Sequence, residues 1–346
     1  MGIRARITIK DVAKAAGVST QTVSRVWNNR PDVAPQTLER VRRIIAETGY
    51  APNALARSLI HGRSSTLGVV AYGLDYFGPS RVLTGIEKQA NELGYSIFLN
   101  LLHRPESADV DDLLKSLLAR QVEGIIWAVP SIGDNRSWAQ TRSADLPVPV
   151  TFVSGMSGPS RLPAVGVDNR AIGALATEHL LAGGVRNIGI ITGPHAWWEA
   201  AERLRGWRET LARHDRQVDE RLIFEGDWSA ESGERGLHAL LRQRPDLDAI
   251  FVSNDQMALG VLHAAHRLGR RVPADLSIAG VDCIPESEHF WPPLTTVRQR
   301  LREAGAQAVQ RVHQMIQAPP LAGLEPKVRL LQPELIVRES SRGVSA

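Results

Sequence analysis

The stretch TIKDVAKAAGVSTQTVSRVWNN, residues 8–29, sets apolar residues at helical spacing and interrupts the series at Gly17. Ile9, Val12, Ala13 and Ala16 share one face of a first helix, which Thr8 can cap and Gly17 ends. Ser19 or Thr20 can cap a second helix, whose inward face is Val23, Val26 and Trp27. Next, PQTLERVRRIIAETG, residues 35–49, presents Leu38, Val41, Ile44 and Ile45 before Gly49 stops it. Three short helices with one shared apolar side predict a small all-α bundle, its first pair a helix-turn-helix in form. Thr20, Gln21, Ser24 and Arg25 then face outward. Gln can bond adenine, Arg can bond guanine, and short hydroxyls reach bases or phosphates. The periodicity alone suits a solvated surface helix equally well.

Charge bears on that choice. Residues 1–63 carry eleven Lys/Arg against four Asp/Glu, a net +7, whereas the whole chain of 346 residues is only +4. A basic head on a slightly acidic body is the asymmetry of a nucleic-acid-binding module joined to another domain. The apolar fraction of 43% with 23% charged residues marks a soluble globular protein. No apolar run approaches the roughly 20 residues that span a bilayer, and MGIRARITIK at the start lacks the apolar core of a signal peptide. The single cysteine, Cys283, excludes an intrachain disulfide and a Cys-based metal site. The expectation is a cytoplasmic protein with no membrane partner, no metal and no cofactor.

After YAPNALARSLIHGRSS, residues 50–65, the texture becomes alternating strand and helix. Strand-like runs such as TLGVVAY, EGIIWAVP, NIGIITG, DAIFVSN and DLSIAGVD alternate with helical patterns such as SRVLTGIEKQANELG and QMALGVLHAAHRLG. Such alternation predicts parallel sheets covered on both faces, with length enough for two doubly wound subdomains. Ligands in such sheets bind beyond the carboxyl ends of the strands. There lie Asn254, Asp255 and Asp282, with Arg203 in a following helix and Trp228 and Gln299 in loops. Carboxylate, amide and guanidinium suit vicinal hydroxyls, and an indole covers the apolar face of a sugar. Taken singly, Asn254 also fits a helix cap, Asp282 a turn, Arg203 a surface ion pair and Trp228 a core residue. No phosphate-binding loop, dinucleotide fingerprint, nucleophile elbow or H-E-x-x-H occurs, so an α/β enzyme acting on a sugar is a distant alternative.

The segments TIKDVAKAAGVSTQTVSRVWNN and VRRIIAETGYAPNALARSL together resemble the N-terminal domain of the lactose/galactose repressor family of bacterial transcription regulators, unbroken from Thr8 to Leu59. The resemblance implies base reading by Thr20, Gln21 and Arg25, with Thr8, Ser19, Thr22 and Asn28 on phosphates. PNALARSL is similar to the family's hinge helix, implying that Asn53, Ala56 and Leu59 meet the minor groove. A leucine there would wedge a base step open. GDWSA, NDQMALG and PPLTTVRQ extend the likeness along almost the whole chain, implying inducer contacts for Arg203, Trp228, Asn254, Asp282 and Gln299. The chain departs from the family's cleft pattern at Tyr72, at Ser154 in place of an Asp, at Glu199 in place of a Ser, and at Leu301.

The implied fold is a helix-turn-helix head plus hinge helix, then a periplasmic-binding-protein-like α/β core of two doubly wound parallel-sheet subdomains. The expected boundaries are 1–50 for the head, 51–64 for hinge and linker, and 65–340 for effector binding and dimerisation. Within the core the first subdomain is placed at about 65–166 plus 299–325 and the second at about 167–297 plus 327–340, with a polar tail at 341–346. No heptad run follows, so a dimer is expected. The implied function is a repressor on double-stranded, pseudo-palindromic operator DNA, released by a galactoside-like or other hexose-containing effector. A purine or phosphosugar corepressor is the alternative, although GPHAWW supplies no clear phosphate cradle.

Overall fold

The computed structural model describes residues 7–27, 29–50, 63–104, 110–133, 135–155, 162–317 and 328–342. The chain divides into two compact units, Met1–Ser65 and Thr66–Ala346.

The first unit holds α1 (Ile9–Ala16), α2 (Thr20–Trp27) and α3 (Pro35–Thr48). Val12, Ala13, Ala16, Val23, Val26, Val41 and Tyr50 form its core. Gly17 takes a left-handed φ of 62° and returns its N–H to the last turn of α1, ending the helix as the sequence indicates. At the other end, the Thr8 backbone N–H and hydroxyl both donate to the Asp11 carboxylate (2.8 and 2.7 Å). Ser19 caps α2 by accepting the Thr22 N–H at 3.1 Å. Trp27 departs from expectation. As the last residue of α2 it turns outward, is 39% exposed, and meets Tyr50 edge-on at 6.1 Å.

The second unit contains two six-stranded sheets. Sheet one is built from β1 (Thr66–Tyr72), β2 (Ser96–Leu102), β3 (Gly124–Ala128), β4 (Val150–Val153), β5 (Ala164–Val167) and β11 (Val328–Leu331). Its order is β11-β5-β4-β3-β1-β2, parallel throughout. Sheet two is built from β6 (Ile188–Thr192), β7 (Ile223–Glu225), β8 (Ala249–Val252), β9 (Ser277–Asp282), β10 (Thr295–Arg298) and β12 (Glu334–Ile336). Its order is β12-β10-β9-β8-β6-β7, with only β12 antiparallel. The core strands β1, β3, β4 and β6 are apolar runs because both faces are covered. Strand order reverses between β1 and β3 and between β6 and β8, so a crevice opens at each switch point.

The helices are α4 (Phe77–Glu92), α5 (Val110–Ala119), α6 (Ser137–Arg142), α7 (Asn169–Ala182), α8 (Trp198–Arg213), α9 (Ala230–Gln243), α10 (Asp255–Arg267) and α11 (Leu301–Gln317). Among the described residues none is long and apolar enough to cross a membrane. The crossing of α7 and α8 depends on two glycines. A Cβ on Gly173 would lie 2.1 Å from the Arg203 carbonyl oxygen, and one on Gly206 would lie 2.1 Å from that of Arg170.

The chain passes between the sheets three times, after β5, after β10 and after β11. The third passage falls at Gln332–Pro333, later than the expected 326, because β11 is hydrogen-bonded to β5 and so belongs to the first lobe. The expected polar tail also starts too early. Ser341 is buried, bonded to His179 Nε2 and Thr295 Oγ1 at 2.7 Å each, and the Arg342 N–H donates to Ser277 Oγ.

Candidate functional site

In the first unit, the α2 backbone projects Thr20, Gln21 and Arg25 from the side opposite Val23 and Val26, and all three are exposed. Ser19 and Thr22 occupy the cap, their hydroxyls 3.0 Å apart, and Arg25 pairs with Asp32 at 3.5 Å. Thr8 spends its hydroxyl on Asp11, whose carboxyl is held below its ordinary range chiefly by that bond. The arrangement is a polar face with short reach at its N-terminal end and a cation one turn on. Asn28, Asn53, Ala56 and Leu59 lie outside the described residues.

In the second unit, the strand ends and the loops after them surround one cleft, with about 840 Å³ of empty space counted out to its open mouth. Seven of the eight expected residues line it: Ser154, Glu199, Arg203, Trp228, Asn254, Asp282 and Gln299. Tyr72 is not among the lining residues; its ring centroid lies 6.3 Å from that of Trp197, which is. Lining from the first lobe is mostly apolar, including Phe77, Pro79, Val82, Ala128, Pro130, Val153 and Leu301. The second lobe contributes most of the charged and amide side chains. Such a cleft fits a ligand with one apolar face and a hydroxylated edge.

Arg203 is buried rather than on the surface. Its Nε donates to Asn169 Oδ1 at 2.9 Å, and its Nη1 donates to the Ser253 carbonyl. Among the described residues its Nη2 has no acceptor, which leaves a donor for a ligand. Burial lowers its pKa, opposed first by Asp282. Asp282 accepts from Gln299 Nε2; burial pushes its carboxyl up to about 6, against the pull of Arg203. Beneath it, Asp255 accepts from Thr296 Oγ1 (2.6 Å) and the Ile284 N–H (2.9 Å), and burial with the neighbouring Asp282 raises it to about 8. Asn254 is a helix cap and a cleft residue at once. Its Oδ1 accepts the Met257 N–H at 2.8 Å, while its Nδ2 holds the Trp228 carbonyl at 3.0 Å. Ser154, Trp228 and Asp282 have φ of 89°, 72° and 111°, strained values for side chains and typical of functional sites.

The departures at Ser154 and Glu199 meet each other. The Ser154 hydroxyl, from the first lobe, donates to Glu199 Oε1, from the second. Among the described residues the buried Glu199 Oε2 has no hydrogen-bond partner.

Sequence reasoning missed Arg136, Tyr76 and Trp197. Arg136 is buried and donates to the carbonyls of Val129, Val153 and Gly155 at 2.5, 2.7 and 3.0 Å, closing the ends of β3 and β4. Burial lowers its pKa to about 10, opposed by Glu199. An arginine in an aperiodic loop gives no sign of this. Trp197 joins the lobes through a one-residue antiparallel bridge to Ile132. Around it, the Gly133 N–H donates to Ala196 O at 3.0 Å and the Trp198 N–H to Ser131 O at 2.9 Å. The paired tryptophans in GPHAWW were the available signal.

Residues 8–53 match the model of bacterial regulatory proteins of the lacI family, and residues 177–341 that of a periplasmic binding protein-like domain. The chain is 34% identical to the lactose operon repressor of Escherichia coli (strain K12) over 335 residues, covering 97% of this chain and 91% of that protein. A crystal structure of the lac repressor dimer bound to operator and the anti-inducer ONPF superposes with a TM-score of 0.84 at 34% identity, over 97% of this chain and 99% of that one. A complex of the transcriptional regulator CelR with cellobiose superposes at 0.71 and 30% identity, covering 97% and 100%.

Proposed function

The chain belongs to the lacI family of bacterial regulatory proteins, and we propose that it is a cytoplasmic, sugar-responsive repressor that binds a pseudo-palindromic operator as a dimer. The observation that carries the sugar reading is the two-sided cleft, apolar from the first lobe and rich in hydroxyl-binding groups from the second. Asp282 and Gln299 would accept and donate to ring hydroxyls, Arg203 Nη2 would donate to another, and Trp228 would cover the apolar face. Thr20, Gln21 and Arg25 would read bases, with Thr8, Ser19, Thr22 and Asn28 on phosphates and Asn53, Ala56 and Leu59 in the minor groove. Sugar bound between the lobes would favour an arrangement with weaker operator affinity, which requires different affinities of the sugar for the two states. The chemistry needs no turnover of the sugar.

The test is a titration of the purified full chain with DNA from upstream of its own gene, with and without hexosides. Sequence-selective binding weakened by sugar is expected. Arg203→Ala should keep operator binding and lose the response. Absence of selective DNA binding, or an unchanged response in Arg203→Ala, overturns the assignment.

A further inference from the structure

A second hollow lies beside the cleft, against the passage from β10 to α11. Gln299 and Asp282 line both hollows, whereas Arg298 and Arg300, on either side of Gln299, line only the second. Arg81 from α4 and Arg302 from α11 join them there. A close helix crossing brings this last pair to one place. A Cβ on Gly85 would lie 2.0 Å from the Arg302 carbonyl oxygen, and one on Gly305 would lie 2.2 Å from that of Val82. Arg81 stands one turn before Gly85, so the approach of α4 to α11 sets it beside the first turn of α11.

Two of the four cations are already matched. Arg298 Nη1 lies 3.2 Å from Glu334 Oε2, and Arg300 Nη1 lies 3.5 Å from Glu303 Oε2. Asp282 accepts from Gln299 instead. The half-buried Arg81 guanidinium lies 4.8 Å from the Phe77 ring centroid, and among the described residues neither Arg81 nor Arg302 has an acidic partner. Like charges gathered in one hollow repel each other, and a bound anion relieves that repulsion.

We propose that this hollow binds the phosphate group of a small metabolite, at a site separate from the sugar cleft. A phosphate monoester carries a charge of about −1.5 to −2 at pH 7, which the two unmatched guanidiniums balance. Their planar N–H forks suit its oxygens. The start of α11 lines the same hollow, so its dipole adds to the positive field. Because Asp282 and Gln299 form a wall common to both hollows, a phosphate held here bears on the sugar site without entering it.

The protein's only cysteine reports on occupancy. Cys283 lines the hollow, its Sγ 3.7 Å from Arg298 Nη2 and 3.6 Å from Arg338 Nη2. Alkylation of the full chain by iodoacetamide, followed by mass spectrometry, is timed in inorganic phosphate, glucose 6-phosphate, glucose and sodium chloride at matched ionic strength. Phosphate or its ester should slow the reaction several-fold and saturably, and chloride should not. The tighter of the two shows whether the site takes the free anion or an ester. Arg81→Gln and Arg302→Gln should each raise the concentration needed about tenfold, and Arg302→Lys, which keeps the charge, should raise it less. Unchanged alkylation in phosphate and its ester, equal slowing by chloride, or protection that both glutamine variants leave intact overturns the site. Equal slowing by glucose and its phosphate assigns the effect to the sugar cleft and overturns it too.

Discussion

In the proposed sugar site Asp282 faces opposing demands, because it is buried in the cleft wall and would have to offer a carboxylate to hydroxyl donors. Its folded pKa of about 6 stands above the ordinary 3.8. A carboxyl that binds its proton more tightly when folded stabilises the fold at low pH and loses that contribution as pH rises between about 4 and 6. Asp255, raised to about 8, extends the loss upward. Across the window the Asp282 contribution is on the order of 3 kcal/mol. Thermal melts of the ligand-free chain from pH 4 to 8 should therefore slope downward more steeply than those of Asp282→Asn; parallel slopes would contradict this. Sugar binding favours the ionised form, so affinity should rise from pH 5 to 7. That Asp282 and Asn254 line the cleft was legible because they follow strands at the carboxyl end of a predicted sheet, and Arg203 because it lies in the helix after one. Trp197 and Arg136 were not, because loop positions carry no period and their partners are distant in sequence.

Helix crossings set the position of Arg203. It lies one turn before Gly206 on α8, and its Nε reaches Asn169 on α7 only because the two helices approach backbone to backbone. Gly206→Ala would place a methyl 2.1 Å from the Arg170 carbonyl and force the helices apart. The expected cost is about 1–3 kcal/mol, read as a lower melting temperature, together with weaker sugar binding. Operator binding by the sugar-free protein should survive; its loss alongside normal sugar affinity would exclude this role for the crossing. At this scale the sequence was readable where a helical period was bounded by caps or glycines, as in α1 to α3, or ran over several turns, as in α7 to α10. Strands β5, β7, β10, β11 and β12 are three or four residues each, too short to show alternation. Trp27 was misjudged because a helix's last residue can turn away from the face that its spacing assigns.

For the whole molecule, operator and sugar are coupled reciprocally, whichever way the coupling runs. If sugar weakens operator binding by some factor, operator weakens sugar binding by the same factor. Measuring sugar affinity with and without saturating operator checks this, and unequal factors would mean that the sugar acts at some other step. The unequal charge of head and body was visible in composition, whereas the route of the chain between the lobes was not, since it depends on which edge a four-residue strand joins. That route has a consequence for how the protein is made. Strand β11 completes sheet one, β12 completes sheet two, and buried Ser340 and Ser341 satisfy Thr295, Ile278 and His179 behind them. A chain emerging from the ribosome therefore holds two unfinished lobes until Val328 and the residues that follow it arrive. The first lobe gains β11 only a few residues before the second gains β12, and a nick shortly before Val328 would separate a strand from both at once.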